Sequence, residues 1–139
     1  MKVLFDTNVW INFFRNPEYK EEFESRTNRP RCYMSSVVAM ELFAGCRTAR
    51  QQQAMSSFLK PFENVGRLVT PDHGVFLESG RILAKLGIDG INLAQRRQLL
   101  GDVLIAVSAA RAGIVVITAN AKDFHLIAKY STIRWTLPA

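Results

Sequence analysis

Four acidic side chains lie within or just after apolar stretches of the sequence, where a charge is costly unless it has a partner. Asp6 ends the apolar run KVLF, and Asp123 follows the run IVVIT by five residues. Glu41 and Asp102 share helical faces with apolar neighbours three or four positions away. The pattern predicts that the four carboxylates meet at one site.

A cluster of carboxylates is unfavourable unless the repulsion between their negative charges is compensated. Two of them about 4 Å apart repel by roughly 4 kcal/mol at an effective dielectric constant of about 20. A cluster of three or four would therefore cost as much as the whole stability of a domain, about 5 to 15 kcal/mol. Either several acids hold protons, or a divalent cation neutralises them. Oxygen ligands without a nearby His or Cys favour Mg²⁺ or Mn²⁺, and Mg²⁺ readily shares its shell with phosphate. The pattern points to phosphoryl chemistry.

Each acid also has an interpretation without a metal. Asp6 could form a turn that ends its strand, and Glu41 could pair with a buried arginine. Asp102 could complement a helix dipole. Asn120 and Asp123 have the spacing of a capping box, which would account for both residues.

Alternating strand and helix signals predict the elements that position these acids. Strands are predicted at residues 2–5, 31–34, 67–70, 114–118 and 132–136, and helices at about 16–27, 37–44, 48–62, 70–86, 92–112 and 121–129. This order implies an α/β fold with a parallel sheet of about five strands and helices on both faces. Ligands bind beyond the carboxyl ends of such strands, where Asp6 and Asp123 lie.

Small polar residues and glycines predict where these helices begin and end. Predicted starts are at Ser35–Ser36, Thr48 and Thr70–Pro71, and a predicted end is at Gly45. Gly101 is expected to break the helical stretch just before Asp102. Such a break would place Asp102 near a helix N-terminus.

Length and composition bound the class of protein. The 139 residues, 48% of them apolar, should form one domain over residues 1–139. The sequence has no apolar run of roughly 18 residues and no signal peptide, so we expect a cytoplasmic protein without membrane contact. Cys32 and Cys46 lack CxxC spacing and should be buried free thiols.

The charge indicates a partner that carries phosphate. The net charge is +6, with twelve Arg against six Lys, and Arg binds phosphate in a bidentate manner. Nucleic acid is the leading candidate, with an ordinary solvated basic surface as the alternative. Arg96 and Arg97 are candidates for contacts with the phosphates of a nucleic acid.

The four acids lie in four segments, in this order along the chain: VLFDTNVWI, SSVVAMELFAG, GDVLIAVSAARAG and VVITANAKDF. In sequence and order these segments resemble the motifs of the PIN-domain nucleases, in particular the VapC-type ribonuclease toxins of bacterial toxin–antitoxin pairs. The resemblance implies a three-layer PIN-like fold and a metal-dependent endoribonuclease. It implies that Asp6, Glu41, Asp102 and Asp123 form the acidic pocket for Mg²⁺ or Mn²⁺. The implied supporting polar residues are Asn8, Ser36, Thr118 and Asn120.

The resemblance also implies the partners. It predicts a homodimer that cleaves RNA and is inhibited by a small VapB-like antitoxin, whose tail occupies the groove. Contact with DNA would be indirect, through the antitoxin. The segment IDGINLAQRRQLLG before Asp102 differs from the plainer connector common in the family.

Three other functions remain open at this point. The chain could be an RNA-processing PIN nuclease that is not a toxin, or a catalytically silent module that binds RNA or a partner. It could also be a receiver-type regulatory domain, in which Asp72 would be the phosphoacceptor and Lys122 the lysine that follows a later strand.

Overall fold

The computed structural model describes residues 1–16 and 31–138 of the chain. Its strands are β1 (Val3–Phe5), β2 (Cys32–Ser35), β3 (Leu68–Val69), β4 (Val115–Ile117) and β5 (Trp135–Thr136). The helices in these residues are α1 (Thr7–Arg15), α2 (Ser36–Ala44), α3 (Ala49–Asn64), α4 (His73–Ile88), α5 (Leu93–Ala112) and α6 (Ala121–Ala128). Within residues 1–16 and 31–138, none of the helices combines the length and the apolar character that a membrane span requires.

The five strands form one sheet in the order β3-β2-β1-β4-β5, and every neighbouring pair is parallel. The predicted α/β class and the five parallel strands are confirmed. The chain runs from β1 outward to β3 and then crosses to β4 on the other side of β1. A reversal of this kind leaves a crevice at the carboxyl ends of β1 and β4, where doubly wound folds bind ligands.

The central strands are apolar because helices cover both faces of the sheet. Leu4 of β1 and Val116 of β4 are fully buried. Trp10 of α1 is also buried and packs edge-on against Phe5 and Phe58, with ring centroids 5.5 and 4.9 Å apart. These contacts fix α1 against the sheet directly after β1.

Two predicted helix starts are confirmed by their caps. The Ser35 hydroxyl accepts hydrogen bonds from the backbone N–H groups of Val37 and Val38 at the start of α2. The Thr48 hydroxyl accepts from Gln51 N at the start of α3. Gly45 ends α2 as expected.

The predicted start of α4 was wrong by about three residues. The helix begins at His73, and its N-cap is Asp72, whose Oδ1 accepts from Val75 N at 2.9 Å. An aspartate is a strong cap, so the helix begins after Asp72 and not at Thr70–Pro71. The residue that the receiver interpretation would use as phosphoacceptor is therefore the cap of a helix.

The predicted break at Gly101 was also wrong. Helix α5 runs without interruption from Leu93 to Ala112 and ends at Gly113, whose φ of 69° is left-handed. A glycine inside a helix costs only about 0.5 to 1 kcal/mol relative to alanine, and the buried face of α5 outweighs that cost. Asp102 consequently lies in the middle of a long helix, so the helix-dipole interpretation does not apply to it.

Helix α1 was not predicted. A turn that ends β1 was the alternative interpretation of Asp6, but Asp6 is the N-cap of a helix over Thr7–Arg15. The helix predicted at about 16–27 lies, except for Asn16, outside the described residues. Both predicted cysteine thiols are free, Cys32 buried and Cys46 only partly so.

Candidate active site

Asp6 lies at the junction between β1 and α1 and is only 2% exposed. Its backbone is extended, so it acts as the N-cap of α1, and its Oδ1 accepts from Thr7 N at 2.8 Å. Its Oδ2 accepts from the Thr118 hydroxyl at 2.7 Å and from Asn8 Nδ2 at 3.1 Å. Burial raises the pKa of Asp6, and these hydrogen bonds oppose the rise.

The Thr118 hydroxyl joins the ends of the two central strands. Thr118 is fully buried just after β4, and its Oγ1 donates to Asp6 while it accepts from Asn120 N at 3.0 Å. Asn8 completes the junction, because its Oδ1 accepts from Ala119 N at 3.1 Å. Neighbours that are N–H donors direct the single hydroxyl proton of Thr118 toward Asp6.

Asn120 connects two more of the acids. Its Nδ2 donates to Asp102 Oδ2 at 3.1 Å and to Asp123 Oδ2 at 2.8 Å, while its Oδ1 accepts from Asp123 N as the cap of α6. In a capping box the Asp123 carboxylate would accept from the backbone N–H of Asn120. That N–H donates to Thr118 Oγ1 instead, so the cap is present without the reciprocal bond, and the Asp123 carboxylate accepts from the Asn120 side chain.

Glu41 reaches the site from α2. Its Oε1 accepts from the Thr7 hydroxyl at 2.8 Å, so its hydrogen-bond partner in the described chain is a threonine and not the arginine of the alternative interpretation. Gly101 of α5 faces it: a Cβ atom on Gly101 would lie 3.4 Å from Glu41 Oε2. Burial raises the pKa of Glu41, the Thr7 bond lowers it, and the charge of Asp6 raises it further.

Asp102 is the electrostatic centre of the site. Its pKa is raised to about 7, mostly by burial and then by the charges of Asp6, Asp123 and Glu41, with the Asn120 hydrogen bond opposing the rise. The charges of all three other acids therefore act on Asp102, so the structure places the four side chains near one another. Within the described residues, however, no three acidic, His or Cys side chains are already arranged to ligate one ion. The roles of the four acids as ligands stay a prediction.

Sequence reasoning missed Thr7 and Gly101. Thr7 contributes one hydrogen bond to Asp6 and another to Glu41, and Gly101 leaves the space that Glu41 faces. Asp6 is a typical helix N-cap residue, and this signal could have predicted a helix that starts at Thr7. Thr7 would then lie in the first helical turn, next to Asp6.

Ser36 is not among the residues that bond to the acids. Its hydroxyl is 2.6 Å from the Thr70 hydroxyl, so it joins the carboxyl ends of β2 and β3, at the edge of the sheet. Its predicted supporting role at the acidic pocket remains a prediction.

The two arginines proposed to bind substrate have different surroundings. Arg96 Nε donates to the backbone carbonyl of Ile91 at 3.0 Å, and its guanidinium lies against Gly87, where a Cβ atom would come within 2.8 Å of it. Arg96 thus closes the turn between α4 and α5. Arg97, the next residue, is exposed.

An apolar groove of about 460 Å³ opens beside Glu41, between α1, α2 and α3. Its described lining residues are Ile11, Phe14, Arg15, Glu41, Leu42, Gly45, Cys46, Gln51, Ala54, Met55 and Phe58. The groove therefore places an apolar surface next to the acidic site.

The raised pKa of Asp102 predicts how the stability of the metal-free chain depends on pH. Between about pH 4, where the unfolded carboxyl ionises, and about pH 7, the folded chain keeps a proton that the unfolded chain has lost, so the free energy of unfolding falls as the pH rises. Asp102→Asn removes this titration. Urea unfolding with EDTA should therefore find the variant more stable than the parent at about pH 8, by about 1 to 2 kcal/mol after allowance for solvent screening.

The gain from Asp102→Asn should be clearly smaller at about pH 5 than at about pH 8, because the folded chain still holds its proton at pH 5 and only part of the stability difference has accumulated there. Glu78→Gln is the matched control, because Glu78 forms an exposed ion pair with Arg111. Its effect should be small and independent of pH. An equal gain from Asp102→Asn at both pH values would contradict the prediction.

The chain was compared with proteins of known family, function or structure. The sequence model of the PIN domain family matches residues 3–130. The tRNA(fMet)-specific endonuclease VapC of Shigella flexneri is 23% identical over 136 residues, which covers 98% of this chain and 99% of that protein. The enzyme of the same name from Salmonella typhimurium is 29% identical, with 91% of this chain and 92% of that protein covered.

Among solved structures, DNA-bound VapBC from Salmonella typhimurium contains a similar chain. The TM-score is 0.67 at 26% identity, and the alignment covers 99% of this chain and 98% of that one. The match to the family model over residues 3–130 includes all four acids and every strand but β5. The chain belongs to the PIN domain family.

Proposed function

We propose that the chain is a divalent-metal-dependent endoribonuclease, and that it acts in the cytoplasm as the toxin of a type II toxin–antitoxin pair. The observation that carries the proposal is the acidic site, in which the charges of three carboxylates act on Asp102 at the carboxyl ends of β1 and β4. Membership of the PIN domain family and the similarity to two enzymes named as VapC endonucleases support the same function.

The donor set fits a hard divalent cation. Asp6, Glu41, Asp102 and Asp123 offer carboxylate oxygens, and the charge that raises the pKa of Asp102 is the charge that a cation would neutralise. We propose that these four residues hold Mg²⁺ or Mn²⁺. A bound ion of this kind would acidify a water and stabilise negative charge on a phosphodiester.

The chain's own residues would orient the carboxylates. Thr118 and Asn8 hold Oδ2 of Asp6, and Asn120 holds one oxygen each of Asp102 and Asp123. All of these donors are neutral, so the carboxylates are held in place without losing their charge. We propose that Arg97 and other exposed arginines bind the RNA backbone.

We also propose a homodimer, which the resemblance to the family implies. Phe76 and Leu77 of α4 are 55% and 47% exposed, and Leu68 is exposed on the edge strand β3. A second copy that covered such side chains would remove apolar area from water.

The function is tested by metal-dependent cleavage. Incubation with total bacterial RNA and Mn²⁺ or Mg²⁺ should yield discrete fragments, and EDTA should abolish them. Asp102→Asn should lower the cleavage rate by at least about 100-fold, which is about 2.7 kcal/mol of transition-state stabilisation, because it removes one ligand charge. The same metals should raise the melting temperature of the parent, since a ligand that binds the folded state stabilises it.

Asp102→Asn is preferable to Asp6→Asn for this test. Both oxygens of Asp6 accept hydrogen bonds, so an amide NH₂ there would face another donor and destabilise the fold. Asp102 accepts such a bond from the described residues at Oδ2 alone, and an amide oxygen can replace it. Full cleavage by Asp102→Asn, with Glu78→Gln as the active control, would refute the proposed nuclease site.

Arg96 and Arg97 should differ in their effects on RNA binding. Contacts with phosphates release counterions, and for single strands the slope of log K against log salt changes by about 0.7 per phosphate. Arg97→Ala should therefore make the slope less steep for RNA in EDTA, where no cleavage occurs. Arg96→Ala should leave the slope unchanged and lower the melting temperature, because Arg96 closes the α4–α5 turn. Identical slopes for the parent and Arg97→Ala would remove Arg97 from the RNA-binding surface.

We propose a small antitoxin as the partner. One relative of known structure is named as DNA-bound VapBC, and the apolar groove beside Glu41 offers a site for an apolar segment that carries a basic side chain to the acids. Contact with DNA would then be indirect, through the antitoxin.

Expression of the chain alone should arrest bacterial growth, Asp102→Asn should abolish the arrest, and the product of the neighbouring gene should relieve it. Ala54→Glu places a charge in the apolar groove and should weaken that relief while cleavage is retained. Ser57→Glu, an exposed position of the same helix outside the groove lining, is the control. Harmless expression of the active parent would instead support an RNA-processing nuclease that is not a toxin.

A further inference from the structure

Thr7 contacts two of the acids through two different groups. Its backbone N–H donates to Asp6 Oδ1 at 2.8 Å, and its hydroxyl donates to Glu41 Oε1, also at 2.8 Å. The two acids come from different elements, Asp6 from the end of β1 and Glu41 from α2. A single residue at the start of α1 therefore spans the gap between them.

Glu41 needs such a tether. Its side chain has three rotatable bonds, it is only partly buried, and the charge of Asp6 repels it. On its other side lies Gly101, which has no side chain that could hold it. Within the described residues, the Thr7 hydroxyl is the group that donates a hydrogen bond to the Glu41 carboxylate. Without this bond, solvation and repulsion would both favour rotation of Glu41 away from the site.

The bond also orients the carboxylate. Because Thr7 holds Oε1, the other oxygen, Oε2, lies on the side of α5, at 3.4 Å from where a Cβ of Gly101 would be. Asp102 is the next residue of α5. The tether thus directs the free oxygen of Glu41 toward the helix that carries the most strongly perturbed acid.

We propose that Thr7 is a positioning residue that holds Glu41 beside Asp6 and thereby prepares the acidic site for a divalent cation. This inference rests on the metal site of the proposed function. Only the hydroxyl is required for the role, because the N–H that binds Asp6 belongs to the backbone. Serine should therefore replace Thr7, and valine, which has the same shape without a donor, should not.

The test is Mn²⁺ binding to the whole chain by isothermal titration calorimetry. Thr7→Val should weaken Mn²⁺ binding by about tenfold, the lower end of what loss of a group that orients a ligand costs. Thr7→Ser should bind within about threefold of the parent. In EDTA, both variants should melt within a few degrees of the parent, because the backbone cap at Asp6 remains.

A double-mutant cycle with Glu41→Ala, which removes the acceptor of the Thr7 hydroxyl, separates positioning from a general effect on the fold. If Thr7 acts through Glu41, Thr7→Val should weaken Mn²⁺ binding by no more than about twofold in the Glu41→Ala background. The difference between valine and serine decides the proposal even where Glu41→Ala binds Mn²⁺ too weakly to measure.

The possible failures are distinguishable. A parent that binds no Mn²⁺ would overturn both the metal assignment and the role of Thr7. A parent that binds Mn²⁺ while Thr7→Val binds it equally well would overturn the role of Thr7 alone. An equal loss in Thr7→Val and Thr7→Ser, or an equal loss with and without Glu41, would also overturn it, because the threonine would then act through the fold.

Discussion

Repulsion between carboxylates is the constraint on which the arrangement of this protein depends. Asp6, Glu41, Asp102 and Asp123 come from four different elements, and the charges of the other three help to raise the pKa of Asp102 to about 7. Burial raises the pKa of Asp6, Glu41 and Asp102, and the charges of neighbouring acids raise the pKa of Glu41 and Asp102 further. The site persists because short polar side chains at the strand ends donate hydrogen bonds to each carboxylate. The folded chain therefore keeps an unfavourable repulsion between carboxylates at the carboxyl ends of β1 and β4.

The strand order and register of the sheet fix where two of the residues of this site, Asp6 and Thr118, lie. Phe5 of β1 pairs with Ile117 of β4, and Asp6 N donates to the Ile117 carbonyl at 2.8 Å. The next residues along the two strands are therefore Asp6 and Thr118, side by side at the switch point. Their hydrogen bond follows from the strand register. The acids that come from helices depend on packing instead, as the separate contacts of Glu41 and Asp102 illustrate.

The sequence predicts the parts of this arrangement that depend on local patterns. Apolar runs predict the strands, and Ser35 and Thr48 predict helix starts. Acids within or just after apolar stretches indicate the residues of the site. The predicted helix break at Gly101 was wrong because the low helix propensity of glycine costs less than about 1 kcal/mol, and the packing of α5 outweighs this cost. The hydrogen bond between Thr7 and Glu41 could not be predicted from the sequence for a different reason. It joins residues 34 positions apart, and its geometry depends on the axis of α1 against α2, which no short segment specifies.

The neutrality of the donors explains how such a site can remain available to a cation. The hydrogen-bond donors to the four carboxylates in the described chain are threonine and asparagine side chains and the backbone N–H of Thr7. A lysine or arginine in their place would cancel the negative charge and leave little for an ion to gain. The chain nevertheless carries a net charge of +6, so in the proposed function its surface attracts RNA while the pocket repels phosphate. In the proposed function, a divalent cation would neutralise part of the pocket's negative charge and let one phosphate approach. A basic side chain of a partner would neutralise less of that charge and would supply no activated water, so it would occupy the site without allowing cleavage.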